Sequence, residues 1–324
     1  MRVSRRELVA GAAITAGAIP LRSASGAAPP SNQQAAGFYR YQLGDYQMTA
    51  INDGIWLRAI DENFVANAAY EDVQRALANS FQPIDKLPIP FTSLVINTGS
   101  KLVLIDTGTG GQLTQLPSRT GTWETNFAAA GFDPANVDAI LISHFHQDHI
   151  NGIKTKDGTL RFPNAEIFVA APEWNYWMDE ARIAGAPDSL RPIFLNARRI
   201  FGDIAKDVRR FEPGREVIPG FMSIPAYGHT PGHVAFTISS GSTSMLALND
   251  TSHNPWLFVR HPEWQAVVDT DGPQAADTRR KLLDRAAADR LLVQGYHFPF
   301  PASGHIMRTA SGYELIPAMW QPEP

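Results

Sequence analysis

A cluster of histidines directly after a predicted buried strand constrains this chain more than any other feature of its sequence. Residues 137–143 form an apolar run typical of a buried strand, and His-Phe-His-Gln-Asp-His follows at 144–149. Residues two apart in an extended segment face the same way, so His144 and His146 can converge on one ion. Asp148 and His149 come after a turn and can bind a second ion. Three of the nine histidines of the chain lie in this short motif, which favours a metal site over chance.

The ligands in this motif are imidazole and carboxylate groups, which suit zinc and its neighbours in the first transition row. Cysteine is absent from the chain, which excludes thiolate ligands and a cysteine nucleophile. No serine lies in a G-x-S-x-G motif, so a serine hydrolase of the α/β-hydrolase type is disfavoured. The sequence therefore predicts metal-dependent chemistry.

The composition is that of a globular protein, because 44% of the 324 residues are hydrophobic. Residues 1–27 carry four arginines and one glutamate, so the remainder has a net charge of about −7 where the whole chain has −4. Nucleic-acid binding requires a basic surface, which this balance disfavours. We expect a small-molecule substrate. The sequence is compatible with a monomer or a homodimer.

The first residues have the order of a secretory signal. Ser4-Arg5-Arg6-Glu7 precedes an apolar run at 10–20 and small residues at 23–28, and the paired arginines resemble the twin-arginine type. The apolar run is too short to span a bilayer, so no stable membrane anchor is expected. We predict a signal peptide and linker at 1–35, cleaved near residues 25–28, and one hydrolase domain at 36–324.

Export to the periplasm through the paired arginines is the corresponding prediction. Replacing Arg5 and Arg6 with lysines is expected to retain the precursor in the cytoplasm, because the twin-arginine route reads the arginine pair itself. Cell fractionation measures this directly. Unchanged export of the double variant would argue for another route or for a misread leader.

Hydrophobic periodicity predicts alternating strands and helices after the leader. A hairpin is expected at 38–51 with its turn at Gly44-Asp45, and Pro83, Pro88 and Pro90 indicate irregular structure before a strand at 93–97. No G-x-G-x-x-G follows the first strand, so an α/β sandwich is favoured over a dinucleotide-binding fold. The other predicted strands are 101–105, 137–143, 166–170, 220–225, 234–239, 244–248 and 290–293, and the predicted helices are 67–80, 122–130, 172–184, 192–201 and 274–288.

Four further motifs follow the order of a known family. They are Asp106-Thr107-Gly108, Gly228-His229-Thr230-Pro231-Gly232-His233, Leu248-Asn249-Asp250 and Gly295-Tyr296-His297. Together with the histidine cluster, this ordered set resembles the metallo-β-lactamase superfamily over nearly the whole chain after the leader. The resemblance implies an α/β fold of the αββα sandwich type.

The same resemblance implies two divalent metal ions per chain, with zinc first and manganese, cobalt or iron as alternatives. It places His144, His146 and His229 around the first ion, Asp148, His149 and His297 around the second, and Asp250 between them. Asp106 is expected to orient a ligand histidine, and His233 to be a structural partner. No ligand position is left for His253, His261 or His305.

Two ions that share a water can present hydroxide to an electrophilic centre at neutral pH. Asp148 and Asp250 are the predicted catalytic residues, because they would orient this hydroxide, and Asp148 could then carry a proton to the leaving group. Asn249 stands where relatives commonly have glycine, which makes the backbone before Asp250 a point to inspect.

Phrases such as His297-Phe298-Pro299-Phe300-Pro301 resemble the methyl parathion hydrolase group, which includes lactonases. Within that group Trp177 and Phe194 are the expected aromatic substrate-binding residues. Residues 112–122 (QLTQLPSRTGT) depart from the group, so a lactone or aryl ester is favoured over an organophosphate triester. The alternatives from other classes are a mononuclear iron redox enzyme of the superfamily and a non-catalytic zinc-binding protein.

Overall fold

The computed structural model describes residues 30–32, 34–113 and 118–323. Met1–Ala35 and Ala36–Pro324 form separate units, and the described strands and helices lie in the second. Nearly all of the predicted leader lies outside the described residues, as do residues 114–117 of the divergent segment. Export therefore stays a prediction.

The first sheet has eight strands in the order β1-β2-β3-β4-β6-β7-β8, with β5 beside β2. These strands are β1 (Phe38–Leu43), β2 (Tyr46–Ala59), β3 (Lys86–Asn97), β4 (Leu102–Ile105), β5 (Ser118–Thr120), β6 (Ala139–Ile142), β7 (Glu166–Ala170) and β8 (Arg209–Phe211). β1 and β2 form the predicted hairpin. β4, β6, β7 and β8 run parallel, so the loops that follow them leave from one edge of the sheet.

The second sheet has seven strands in the order β15-β14-β13-β12-β11-β10-β9. These are β9 (Glu216–Ile218), β10 (Phe221–Pro225), β11 (Val234–Ser240), β12 (Thr243–Asn249), β13 (Leu292–Gly295), β14 (Ser303–Arg308) and β15 (Tyr313–Pro317). β12 and β13 are parallel neighbours. The loops after these two strands therefore also leave from a common edge.

Seven α-helices accompany the sheets in the described part of the chain. They are α1 (Tyr70–Ala78), α2 (Trp123–Ala129), α3 (Gln147–Ile150), α4 (Ala171–Trp177), α5 (Glu180–Ala184), α6 (Arg191–Phe201) and α7 (Gly272–Ala288). Short 3₁₀ helices lie at Pro134–Asn136 and Asn151–Ile153, and a π-helical turn lies at Pro255–Val259. Among the described residues, none of the helices combines the length and hydropathy needed to cross a bilayer.

Three apolar layers hold the four-layer αββα arrangement together. The inner layer joins the two sheets, with Leu94 and Leu141 of the first packed in one cluster with Phe236 of the second. One outer layer packs α2, α4 and α6 on the first sheet, and the other packs α7 on the second. Each sheet is thus covered on both faces, and the predicted αββα sandwich is confirmed.

Two local predictions are wrong. Pro88 and Pro90 lie inside β3, because β3 pairs with β4 only from Leu94 onward and its earlier half has a strand neighbour on one side alone. A proline lacks an N–H and fits the unpaired side of such a strand. The predicted helix at 172–184 is two helices, since Asp179 accepts hydrogen bonds from the backbone of Ala181 and starts α5 anew.

Candidate metal centre

The parallel strands deliver the predicted ligands to one edge of the sandwich. The loop after β6 carries His144 and His146, and α3 begins immediately afterwards with Asp148 and His149 on its first turn. From the second sheet, Asp250 follows β12 and His297 follows β13, while His229 lies in the loop between β10 and β11. The two sheets therefore supply one site between them.

Three imidazole nitrogens converge in the first group. His229 Nε2 lies 3.1 Å from His144 Nε2 and 2.9 Å from His146 Nδ1. Burial lowers the pKa of His144 and lowers that of His146 to about 3, so both rings are neutral and keep a lone pair. Imidazole nitrogens this close together, with free lone pairs on His144 and His146, can bind a cation.

The second group contains Asp148, His149 and His297. Asp148 Oδ2 lies 3.4 Å from His149 Nε2 and 3.5 Å from His297 Nε2. Burial opposes ionisation of Asp148, but the neighbouring His149 lowers its pKa to about 2. Tyr296 Oη donates to the Asp148 carbonyl at 2.6 Å, which fixes the turn that carries this carboxylate.

Asp250 lies between the two groups. Its Oδ2 is 3.4 Å from His229 Nε2 and 3.1 Å from His297 Nε2, and its Oδ1 is 3.3 Å from His149 Nε2. His149 Nε2 and Asp250 Oδ1 are both buried without a hydrogen-bond partner among the described residues. Orphaned buried polar atoms are costly, and imidazole with carboxylate is the donor set that zinc-type ions take. The residues therefore fit divalent metal.

Backbone and carboxylate acceptors fix the histidine rings. Asp106 Oδ2 lies 2.7 Å from His149 Nδ1, and the same carboxylate accepts from the backbone and the hydroxyl of Ser143. The Pro90 carbonyl lies 2.9 Å from His297 Nδ1 on the unpaired side of β3. Because these acceptors receive a hydrogen bond from Nδ1–H, the Nε2 atoms of both rings are left to face the site.

Asn249 adopts the left-handed conformation with φ 48° just before Asp250. Asparagine tolerates this region better than most residues, so it can replace the glycine common in relatives without moving the ligand. Its side chain donates to the Val234 carbonyl at 3.1 Å, and the Asp250 N–H donates to His233 Nε2 at 3.2 Å. His233 thus lies where the sequence placed it, behind the site as a structural partner.

Glu173 joins the two histidine loops of the first group and was not found from the sequence. Its carboxylate is fully buried and accepts four hydrogen bonds of 2.8 to 2.9 Å. The donors are the backbone N–H groups of Phe145 and Gly232, the Thr230 hydroxyl and the Trp177 indole. Burial raises the pKa of Glu173 to about 7, although all four donors favour the ionised form.

Asp269 and Arg279 form a second support that carries no sequence signal. Asp269 Oδ1 lies 3.0 Å from His229 Nδ1, and Arg279 donates to Asp269 Oδ2 at 3.3 Å, with both side chains buried. Burial opposes ionisation of Asp269, but its hydrogen bond with His229 and the nearby charges lower its pKa to about 2. This carboxylate therefore holds the His229 ring in orientation.

His253 lies beside the ligands, which the sequence did not indicate. The sequence left no ligand position for it, and in the structure its Nε2 lies 3.1 Å from His229 Nδ1 and 3.6 Å from Asp250 Oδ2. The cause is the chain reversal after β12, which returns His253 beside Asp250 only three residues later. His261 and His305 are not part of the ligand groups among the described residues.

A cavity of about 450 Å³ opens beside both groups. Its wall near the ligands includes Asp148, Asp250 and His253, and the rest is mainly apolar, with Trp56, Phe64, Leu87, Ile89, Phe91 and Phe258. Trp177 and Phe194 are not among the described residues that line it. They are 0% and 2% exposed and pack in the core under α4 and α6, so the prediction that they contact substrate is corrected. Trp177 instead donates to Glu173.

The fold and this cluster of ligands define an αββα protein with a candidate centre for divalent metal. Residues 90–297 match the Metallo-beta-lactamase superfamily, and they contain all seven predicted ligands. The chain belongs to this superfamily, which confirms the resemblance inferred from the motifs. The narrower grouping with methyl parathion hydrolase stays a prediction.

Two solved structures share nearly the whole fold. The hydrolase AbOPH of the beta-lactamase superfamily is 29% identical, with a TM-score of 0.82 over 89% of this chain and 100% of that one. AidC, a dizinc quorum-quenching lactonase solved with the product N-hexanoyl-L-homoserine, is 29% identical, with a TM-score of 0.81 over 88% and 98%. A probable metallo-hydrolase of Mycobacterium tuberculosis is 30% identical in an alignment 190 residues long that covers 50% of this chain and 56% of that protein. The chain thus matches little more than half the length of that relative.

Proposed function

We propose that this protein is a dinuclear metal hydrolase that cleaves a lactone or an aryl ester. The observation that carries the proposal is the position of Asp250, whose carboxylate contacts nitrogens of both ligand groups at the wall of an apolar cavity. A carboxylate shared in this way is the usual bridge of a two-metal site. The dizinc lactonase with a similar fold supports the choice of a lactone.

His144, His146 and His229 would hold one ion, Asp148, His149 and His297 the other, and Asp250 both. Divalent ions bound there would supply a hydroxide nucleophile at neutral pH and polarise the attacked oxygen. Asp106 and Asp269 keep the rings of His149 and His229 in orientation by accepting hydrogen bonds from Nδ1–H.

Asp148 is the residue proposed to move a proton. Its side chain is 18% exposed and lines the cavity, whereas the Asp250 side chain is 3% exposed. Asp148 Oδ2 would therefore accept the proton that the attacking hydroxide gives up as the carboxylate product forms, and would deliver it to the leaving oxygen after the ester bond breaks. The apolar remainder of the cavity suits a substrate whose carbonyl is flanked by hydrocarbon.

The test compares kcat/KM of zinc-loaded protein for dihydrocoumarin, N-acyl-homoserine lactones, phenyl acetate and methyl parathion. We expect a lactone or the aryl ester to be the best substrate, because aromatic and aliphatic side chains form most of the wall. If methyl parathion exceeded every lactone and ester by more than about tenfold, roughly 1.4 kcal/mol in transition-state free energy, the organophosphate alternative would replace this proposal.

A further inference from the structure

Arg58 is a cation in the cavity wall without a charged partner in contact with it. It lies on β2 and is half-buried, and it is the one lysine or arginine among the described residues that line the cavity. Within the described part of the chain its guanidinium forms neither a hydrogen bond nor an ion pair. Asp61 acts on it only through longer-range attraction, and burial lowers the pKa of its guanidinium.

Two aromatic rings hold this guanidinium in place. Its central carbon lies 4.9 Å from the Trp56 ring centroid and 5.1 Å from that of Phe64. A guanidinium is attracted to aromatic rings at such distances. The rings accept none of its five N–H groups in a conventional hydrogen bond, so these N–H groups stay available for a ligand.

The acidic groups elsewhere in the cavity do not satisfy Arg58. Asp148 and Asp250 lie among the ligand histidines, and Asp269 is paired with Arg279. Arg58 instead shares its part of the wall with apolar side chains such as Leu87 and Ile89. A planar guanidinium whose edge is free matches a carboxylate, which accepts two parallel hydrogen bonds from it.

We propose that Arg58 binds a carboxylate of the substrate. The preferred substrate class is then an ester or lactone with a negatively charged carboxylate on an apolar body, away from the carbonyl under attack. This inference rests on the proposed hydrolase function and deepens it, because it assigns the residue that selects among esters.

Paired substrates test the proposal. Monophenyl adipate and phenyl hexanoate share the leaving group and have similar acyl chains, and they differ in the terminal carboxylate. We expect the ratio of their kcat/KM values to fall at least about tenfold in Arg58→Met, because methionine cannot donate the charge-assisted hydrogen bonds that favour the carboxylated ester. Arg58→Lys keeps the charge and loses the bidentate geometry. Its ratio should lie between that of the parent and that of Arg58→Met.

Arg210→Met is the matched control. Arg210 also lies over an indole, 5.2 Å from the Trp174 ring, but it is exposed and is not among the described residues of the cavity wall. In Arg210→Met the ratio of kcat/KM for the two esters should stay within about twofold of the parent value. An unchanged ratio in Arg58→Met, or an equal fall in Arg210→Met, would overturn the proposal.

Equilibrium binding separates this proposal from the hydrolase function. Calorimetric titration of the zinc-loaded protein with 3-hydroxybenzoate, a carboxylated phenol, measures recognition without turnover. We expect the affinity for 3-hydroxybenzoate to fall at least about tenfold in Arg58→Met. We also expect the parent to bind phenol more weakly than 3-hydroxybenzoate. If no ester were cleaved, the proposed function would fail, whereas equal binding of the acid to both proteins would reject the role of Arg58 alone.

Discussion

Replacing Asp250 with alanine is expected to abolish hydrolysis and to lower metal content in step. Asp250 contacts nitrogens of both ligand groups, so its loss removes one donor from each proposed ion at once. The remaining histidines would face each other across a buried gap without the negative charge that stabilises bound cations. We expect kcat/KM to fall by far more than the about 10- to 100-fold that follows loss of an outer partner of a metal ligand.

The measurement combines initial rates with elemental analysis of protein purified without chelator. The parent should contain two ions per chain, and a stoichiometry that stays at one with added zinc, manganese or cobalt would favour the mononuclear alternative.

Asp106→Asn should be milder than Asp250→Ala, because Asp106 touches His149 only through Nδ1. Asp277→Ala is the surface control, since its side chain is 56% exposed and, among the described residues, its ion-pair partner is the exposed Lys281. Near-normal activity of Asp250→Ala would refute its bridging position.

Replacing Glu173 with alanine is expected to destabilise the fold by about 3–5 kcal/mol and to weaken metal binding. The change leaves four buried donors without an acceptor, and each such group costs roughly 1–3 kcal/mol, less than additively. It also separates the loop of Phe145, between two ligand histidines, from the loop of Thr230 and Gly232 beside a third. A purely structural residue would alter unfolding alone.

Urea unfolding and zinc competition with a chelator measure the two effects separately. Glu173→Gln keeps the shape of the side chain and one acceptor oxygen, so this variant should retain part of the stability and part of the zinc affinity. Trp177→Phe removes a single donor to the same carboxylate and should leave zinc affinity close to that of the parent. If Glu173→Ala kept the stability and zinc affinity of the parent, the hydrogen bonds that join the two loops through Glu173 would have no effect on either property.

The sequence predicted the parts of this site that depend on local order along the chain. The motif at 144–149 follows a buried strand, and its spacing already separates two groups of ligand-type residues, because extended and helical geometry are short-range properties. His229, Asp250 and His297 came from the family resemblance, and the structure brings all three to the same edge. The fold class was predictable for the same reason, from alternating strands and helices.

Residues that act through long-range contacts escaped prediction. Glu173 and Asp269 reach the ligand loops from 28 and 40 positions away along the chain, and neither lies in a motif. His253 was missed because periodicity does not describe an irregular loop. Trp177 and Phe194 were misassigned, since an aromatic residue on an amphipathic helix is compatible with a cavity or with a core, and only the packing of α4 and α6 decides.

The two sheets would contribute ligands to the same proposed ions, so metal binding and the packing of one sheet on the other would be linked equilibria. No segment short of the stretch from His144 to His297 contains the full set of donors, and a chain whose sheets are apart offers no complete site. Ions that bind only the assembled form favour it by mass action, by an amount that grows with their free concentration. Metal supply would thus govern how long the folded molecule persists as well as how fast it turns over.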